Sequence, residues 1–263
     1  MAIITSMFKN AVVPIGIRQK DSSISWIGTG FLVVKEISPG IFNPYLISNR
    51  HVMSGCPSFV YAMKEEGTDN VKNLEALSVG TDGRPLFRAH PNSSIDIAAL
   101  PVDAAYIQKE KVVFPAFDID KNAMTSIELR EAGVDDGSLV YMLGFTLGLV
   151  NNTSKSPLCR LGCIARMSEQ QINEQFNLLV DIQNFPGNSG SPIILRPEFF
   201  SVDGTKALNR NVLVGIVHSY IPYQDQLQSV QSKKVVEVRT ENSGIALVHP
   251  VEYIKEIIDS FYV

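Results

Sequence analysis

Eleven short runs rich in Val, Ile, Phe and Tyr, bounded by Gly, Pro, Asn, Asp or Ser, recur along this chain. They are AVVPIGIRQ, SWIGTGFLVV, YLISNRHVM, SFVYAMK, IDIAALPV, SLVYMLGF, LCRLGCIARM, FNLLVDI, SPIILR, VLVGIVHSY and GIALVHP. Runs this short and this rich in β-branched and aromatic residues suit strands better than helices. Only the end, PVEYIKEIIDSFYV, has a helical period. Val251, Ile254, Ile257, Ile258 and Phe261 recur at three and four, and Pro250 stands where a first helical residue is favoured. Many strands and one terminal helix predict an all-β barrel or sandwich. Residues 103–135 carry few strand signals, which places a boundary between two β units near 120. The Gln-rich part of 221–234 reads as an exposed loop.

A chain of 263 residues can bury a sizeable core, as one large domain or two small ones. With 45% hydrophobic and 19% charged residues it has the composition of a soluble globular protein. The formal charge of −4 and the lack of a basic block give no electrostatic reason to expect nucleic acid or an anionic membrane as partner. No run reaches the roughly 18 apolar residues of a spanning helix, and MAIITSMFKNAVVPIGI reads as a first strand rather than a signal peptide. Three cysteines, Cys56, Cys159 and Cys163, are too few and the wrong number for a disulfide framework, so a reducing, cytoplasmic setting is expected. Cys159 and Cys163 lack the His or second pair that a zinc site needs and read as free, buried thiols; no metal and no cofactor is expected.

Chemistry concentrates in three places. PGNSGSP, residues 186–192, sets two glycines and two prolines around Asn188, Ser189 and Ser191 before an apolar run. His51 closes PYLISNRHVM, and Asp96 sits between isoleucines in SSIDIAALPV, where a buried carboxylate needs a partner such as an imidazole N–H. Each piece alone also reads as ordinary structure: a turn, a structural histidine, an Asp satisfying a backbone turn.

Taken together and in this order, the three motifs resemble the chymotrypsin-like serine proteases. GTGFLVV is similar to that family's second strand, LISNRHV to its histidine motif and IDIAAL to its aspartate motif. FPGNSGSPI resembles the nucleophile loop, VGIV the strand beside the substrate, and NSGIALVHPVEYI the last strand and terminal helix. PGNSG resembles most the Deg/HtrA-type and glutamyl-endopeptidase-like branches, and a chain running to residue 263 is expected to carry no C-terminal peptide-binding module. The resemblance implies two six-stranded antiparallel Greek-key β-barrels with a C-terminal α-helix, spanning 1–118, 119–248 and 249–263. It also implies a serine endopeptidase with His51 as base, Asp96 as its orienter, Ser189 as nucleophile, and the N–H groups of Gly187 and Ser189 as oxyanion hole.

The resemblance has departures. Secreted members carry Asp where this chain has Asn188, and an amide cannot pair with a newly cut N-terminus. No zymogen cleavage is therefore expected, and ordering of the 186–190 loop falls to substrate, oligomer or effector. Alignment back from Ser189 puts Asp181, Ile182, Gln183 and Asn184 on one pocket wall, and Ser219, Tyr220 and residues 243–246 on the other, with no carboxylate at the base. His218 has two readings: a reader of acidic side chains with Gln183, Ser219 and Tyr220, or a core histidine near Asp96. His90 and His249 each precede a proline, the first as a surface loop residue and the second as a strand end. Partners are then a protein or peptide substrate, with an activating partner or homo-oligomer; the segments 196–211 and 221–234 are candidates for such contacts. The rival class is a trypsin-fold module that binds peptide or protein without catalysis, or stays silent until an effector arrives.

Overall fold

The computed structural model describes residues 4–150, 156–199 and 207–263, and its strands fall into two sheets. The first sheet holds β1 (Val12–Arg18), β2 (Ile24–Ser38), β3 (Ile41–Ser48), β4 (Ser58–Lys64), β5 (Val71–Leu77), β6 (Arg88–Ala89), β7 (Ala98–Pro101) and β8 (Phe117–Asp118). Their order is β5-β4-β1-β2-β3-β7-β6, with β8 pairing parallel to β2. The second is a closed barrel, β10-β11-β14-β13-β12-β9, made of β9 (Leu139–Gly144), β10 (Leu158–Arg166), β11 (Leu178–Asp181), β12 (Pro192–Leu195), β13 (Val212–Gln228) and β14 (Val235–Pro250). Among the described residues, α1 (Ser6–Ala11) precedes the strands and four short α-helices interrupt them: α2 (Arg50–Ser54), α3 (Ala104–Glu110), α4 (Ser126–Glu131) and α5 (Glu169–Gln175). A last α-helix, α6 (Glu252–Asp259), runs into a 3-10 turn, Ser260–Tyr262, at the end of the chain. None of the described helices is long and apolar enough to cross a membrane.

The strand runs are apolar on both faces because successive residues serve different cores. Along β2, Leu32 points into the first sheet's own core with Val13, Ile15 and Leu46. Its neighbours Phe31 and Val33 point the other way, into a core shared with Leu143, Phe145, Ile194, Leu213 and Ile216 of the second barrel. A strand buried on both sides loses the polar alternation of a half-exposed one and becomes a continuous apolar run. The shared core is closed by Val251, Ile254, Ile257 and Ile258, the predicted apolar face of the terminal helix, although Pro250 still belongs to β14 and the helix begins two residues later. A third core fills the second barrel around Met142, Ile164, Val180, Ile193 and Val248.

The other differences from the sequence reading are local. YLISNRHVM is strand only as far as Ser48, and His51 lies in α2. The strand-poor stretch holds α3, β8 and α4. The first strand is preceded by α1. Residues 221–228 and 235–242 are not loop but the outer part of a β13–β14 ribbon, paired from Pro222↔Asn242 to Gln228↔Val235. Residues 200–206 of the segment 196–211 lie outside the described residues.

Candidate active site

Asp96 stands between Ile95 and Ile97, which are 1% and 0% exposed and anchored in the shared core. That anchoring holds its carboxylate at the seam between the two sheets. One carboxylate oxygen accepts from the His51 main-chain N–H at 3.1 Å, and the other meets His51 Nδ1 at 2.5 Å. The main chain of Asp96 is held as well. Its carbonyl accepts from Asn49 Nδ2 at 2.7 Å, and its N–H donates to His249 Nε2 at 3.0 Å. Burial works against the carboxylate, but the His51 bonds and the imidazole charge outweigh it, so its pKa lies below the usual aspartate value. The His51 side chain is 53% exposed, open on the side away from Asp96.

Ser189 reaches the same seam through Thr29, a fully buried residue of β2. The Thr29 N–H donates to the Ser189 carbonyl at 2.8 Å. Its hydroxyl donates to the Gly187 carbonyl at 2.8 Å and accepts from the Phe145 N–H at 3.0 Å. Its own carbonyl accepts from Ser48 Oγ at 2.7 Å. Gly187 and Gly190 have φ of 96° and 87°, the left-handed region that glycine enters without strain. Gly190 also passes so close to Thr29 and Ser48 that a Cβ would run into the Thr29 carbonyl oxygen. The bend leaves the N–H groups of Gly187 and Ser189 without a hydrogen-bond partner among the described residues, while Gly190 N–H bonds Val217 and Ser191 N–H bonds Asn188. Two unpaired donors two residues apart are what a developing oxyanion requires. Asn188 is fully buried, and its Oδ1 accepts from Thr146 Oγ1 at 2.7 Å.

The walls read from the sequence also meet. Ile182 N–H bonds the Gly244 carbonyl, Asn184 Nδ2 donates to the Ser219 carbonyl at 2.9 Å, and Asn242 Nδ2 donates to the Asn184 carbonyl. Gln183 and Tyr220 are exposed at this edge. His218 goes elsewhere. Its Nε2 meets Asn177 Oδ1 at 2.6 Å, and its ring stacks on His249 with centroids 3.9 Å apart and planes 7° from parallel. The side chain faces the seam behind Asp96, so the reading of His218 as a reader of acidic substrates finds no support in its contacts.

Burial, together with His249 beside it, pushes the pKa of His218 down to about 3. Burial likewise pushes His249 down to about 4. His90 is buried rather than on the surface, with Nε2 on Glu256 at 2.9 Å and Nδ1 accepting from Asn92 N–H. Cys159 is exposed and Cys56 and Cys163 are partly so; all three are free thiols, not the buried pair expected. Among the described residues no three His, Cys, Asp or Glu side chains gather as a metal site.

Sequence reading alone missed Thr29, Asn49 and the role of His249. Thr29 does leave a trace: a hydroxyl flanked by Gly28 and Gly30 inside an apolar strand has no packing reason to be there.

The sequence profile described as a trypsin-like peptidase domain matches residues 28–198, more than half of the chain. Among solved structures, one titled an HL collagenase at 1.7 Å resolution superposes with a TM-score of 0.50 at 12% identity, covering 98% of this chain and 96% of that one. At that identity the likeness shows the shared fold. No curated protein sequence matches the chain.

Proposed function

The chain belongs to the trypsin-like peptidase family, and from that premise we propose that it is a serine endopeptidase working through His51, Asp96 and Ser189. The observation that carries this reading is the His51–Asp96 pair at the seam, with a nucleophile loop held to the same sheet through Thr29 whose Gly187 and Ser189 N–H groups have no partner among the described residues.

In the proposed reaction, His51 Nε2 takes the Ser189 proton as Oγ bonds to the substrate carbonyl carbon. The oxyanion of the tetrahedral intermediate is met by the two N–H groups. Collapse breaks the C–N bond, His51 returns the proton to the leaving amine, and an acyl-enzyme remains. Water, deprotonated by His51, then releases the acid and restores Ser189. Asp96 holds the Nδ1–H tautomer and stabilises the imidazolium; its depressed pKa favours the charged form this needs.

Protein or peptide substrates enter along the edge formed by Gln183, Ser219 and Tyr220 in this reading. The PGNSG loop supports a place near the Deg/HtrA-type and glutamyl-endopeptidase-like branches, and the three free thiols support a reducing compartment.

A second reading, a silent or effector-gated module, is favoured by one observation: Asn188 engages Thr146, a contact that a change in the loop's surroundings could exchange. Treating wild type and Ser189→Ala with a fluorophosphonate and weighing the intact proteins separates the two. A single adduct on wild type alone is expected, with Ser189→Ala lowering kcat by about 10⁴–10⁶. A wild type that takes no adduct supports the gated or silent module.

A further inference from the structure

The triad chemistry leaves two imidazoles unused, His249 fully buried and His218 partly so, and both stand behind Asp96. His249 is fully buried at the end of β14. Its Nδ1 lies 2.7 Å from the Phe176 carbonyl, which can only accept, so Nδ1 carries the proton. Its Nε2 lies 3.0 Å from the Asp96 main-chain N–H, which can only donate, so Nε2 is bare. These two partners fix one neutral tautomer, and the opposite tautomer or the cation would set an N–H against an N–H. His218 stacks on one face of this ring, and Tyr253 of α6 meets it edge-on with centroids 6.3 Å apart. His218 is itself held by Asn177. The ring can therefore neither tilt nor flip without losing contacts on three elements.

From this arrangement we infer that His249 is a positioning residue for the triad: it holds the Asp96 main chain, and through it the aim of the carboxylate at His51. Asn49 grips the Asp96 carbonyl from the first sheet, while His249 grips the N–H from the second barrel. With the two peptide groups that flank its Cα held from opposite sides, Asp96 cannot swing its side chain away from His51 by a main-chain shift. The carboxylate's aim thus depends on the second barrel being docked against the first. His218 acts one step further out, keeping the His249 ring in plane. The inference rests on the peptidase reading for its effect on rate, but its geometry stands or falls separately.

The first test uses resting wild-type protein and needs no activity. Long-range ¹H–¹⁵N spectra at neutral pH are expected to show His249 as the Nδ1–H tautomer with an unprotonated Nε2. An Nε2–H tautomer, or a doubly protonated ring, overturns the proposal.

The second test measures fluorophosphonate labelling of Ser189 against reagent concentration. His249→Leu removes the acceptor and leaves the Asp96 N–H unpaired, so the maximal labelling rate is expected to fall about tenfold to a hundredfold with little change in half-saturating concentration. His249→Gln offers an amide oxygen to Asp96 and an amide N–H to Phe176, and is expected to recover most of that rate. A folded His249→Leu protein that labels at the wild-type rate overturns the proposal. So does a His249→Gln protein as slow as His249→Leu at equal thermal stability. If wild type itself takes no label, the peptidase reading fails and the tautomer alone decides the geometric claim.

Discussion

Thr29 joins the two halves of the molecule through one side chain and one peptide unit. Its hydroxyl serves the Gly187 carbonyl and the Phe145 N–H, both on the second barrel, from 0% exposure. Thr29→Val keeps the shape and leaves both groups unsatisfied, which is expected to cost about 1–3 kcal/mol in urea unfolding. Thr29→Ser keeps the hydroxyl and is expected to lose less; equal losses for the two would mean that the hydroxyl bonds contribute nothing. Gly190 is less tolerant still, because alanine there meets both a left-handed φ of 87° and the Thr29 carbonyl. Gly190→Ala is expected to destabilise the fold by more than about 2 kcal/mol and to abolish fluorophosphonate labelling. Normal labelling by a stable Gly190→Ala protein would refute the tight packing described here. The proposed triad of His51, Asp96 and Ser189 is legible in the sequence because each lies in a local pattern of apolar, small or turn-forming residues. Thr29 and His249 are not, since their partners lie 158 and 153 residues away and no local pattern encodes such a distance.

At the scale of elements, legibility followed burial. Most of the runs read as strands are strands, because a strand that feeds two cores must be apolar throughout. Strand β5 is illegible for the converse reason: in VKNLEAL only Leu74 is buried, and the rest is polar, charged, exposed or no more than half-buried. The outer β13–β14 ribbon is illegible for the same cause. From Tyr220 to Glu241 every residue but Ser229 is exposed, so the Gln-rich sequence carries no burial pattern at all. A two-stranded ribbon adds little stability by itself in water. Replacing residues 223–241 with Asn-Gly joins Pro222 and Asn242, already a cross-strand pair, through a turn suited to a tight hairpin. Unfolding free energy is expected to change by no more than about 0.5 kcal/mol, as for exposed sites generally. A loss of several kcal/mol in denaturant titration would show that the ribbon supports the barrel.

For the whole molecule, the docking of two sheets over one shared core brings His218 and His249 out of water, and that leaves a pH signature. Both are held neutral, with pKa values lowered from 6.5 to about 3 and about 4. In the unfolded chain they bind protons below about pH 6.5, whereas in the folded protein they do not until far lower. The unfolded state therefore holds more protons through that window, and stability must fall as pH falls through it. Each histidine contributes a slope of roughly 1.4 kcal/mol per pH unit between its unfolded and folded values. Asp96 acts in a different window. Its folded pKa is depressed, so its contribution is complete above the ordinary value of 3.8 and is lost only below it. Urea unfolding between pH 6.5 and 4.5 thus isolates the histidine pair from Asp96. A marked loss of stability on acidification is expected there, and a His218→Gln, His249→Gln protein is expected to show a much flatter profile. An unchanged slope in that double variant would mean that the seam is wet and the imidazoles titrate as they do in the open chain. A flattened slope would mean that the same desolvation that closes the shared core keeps the support behind Asp96 uncharged.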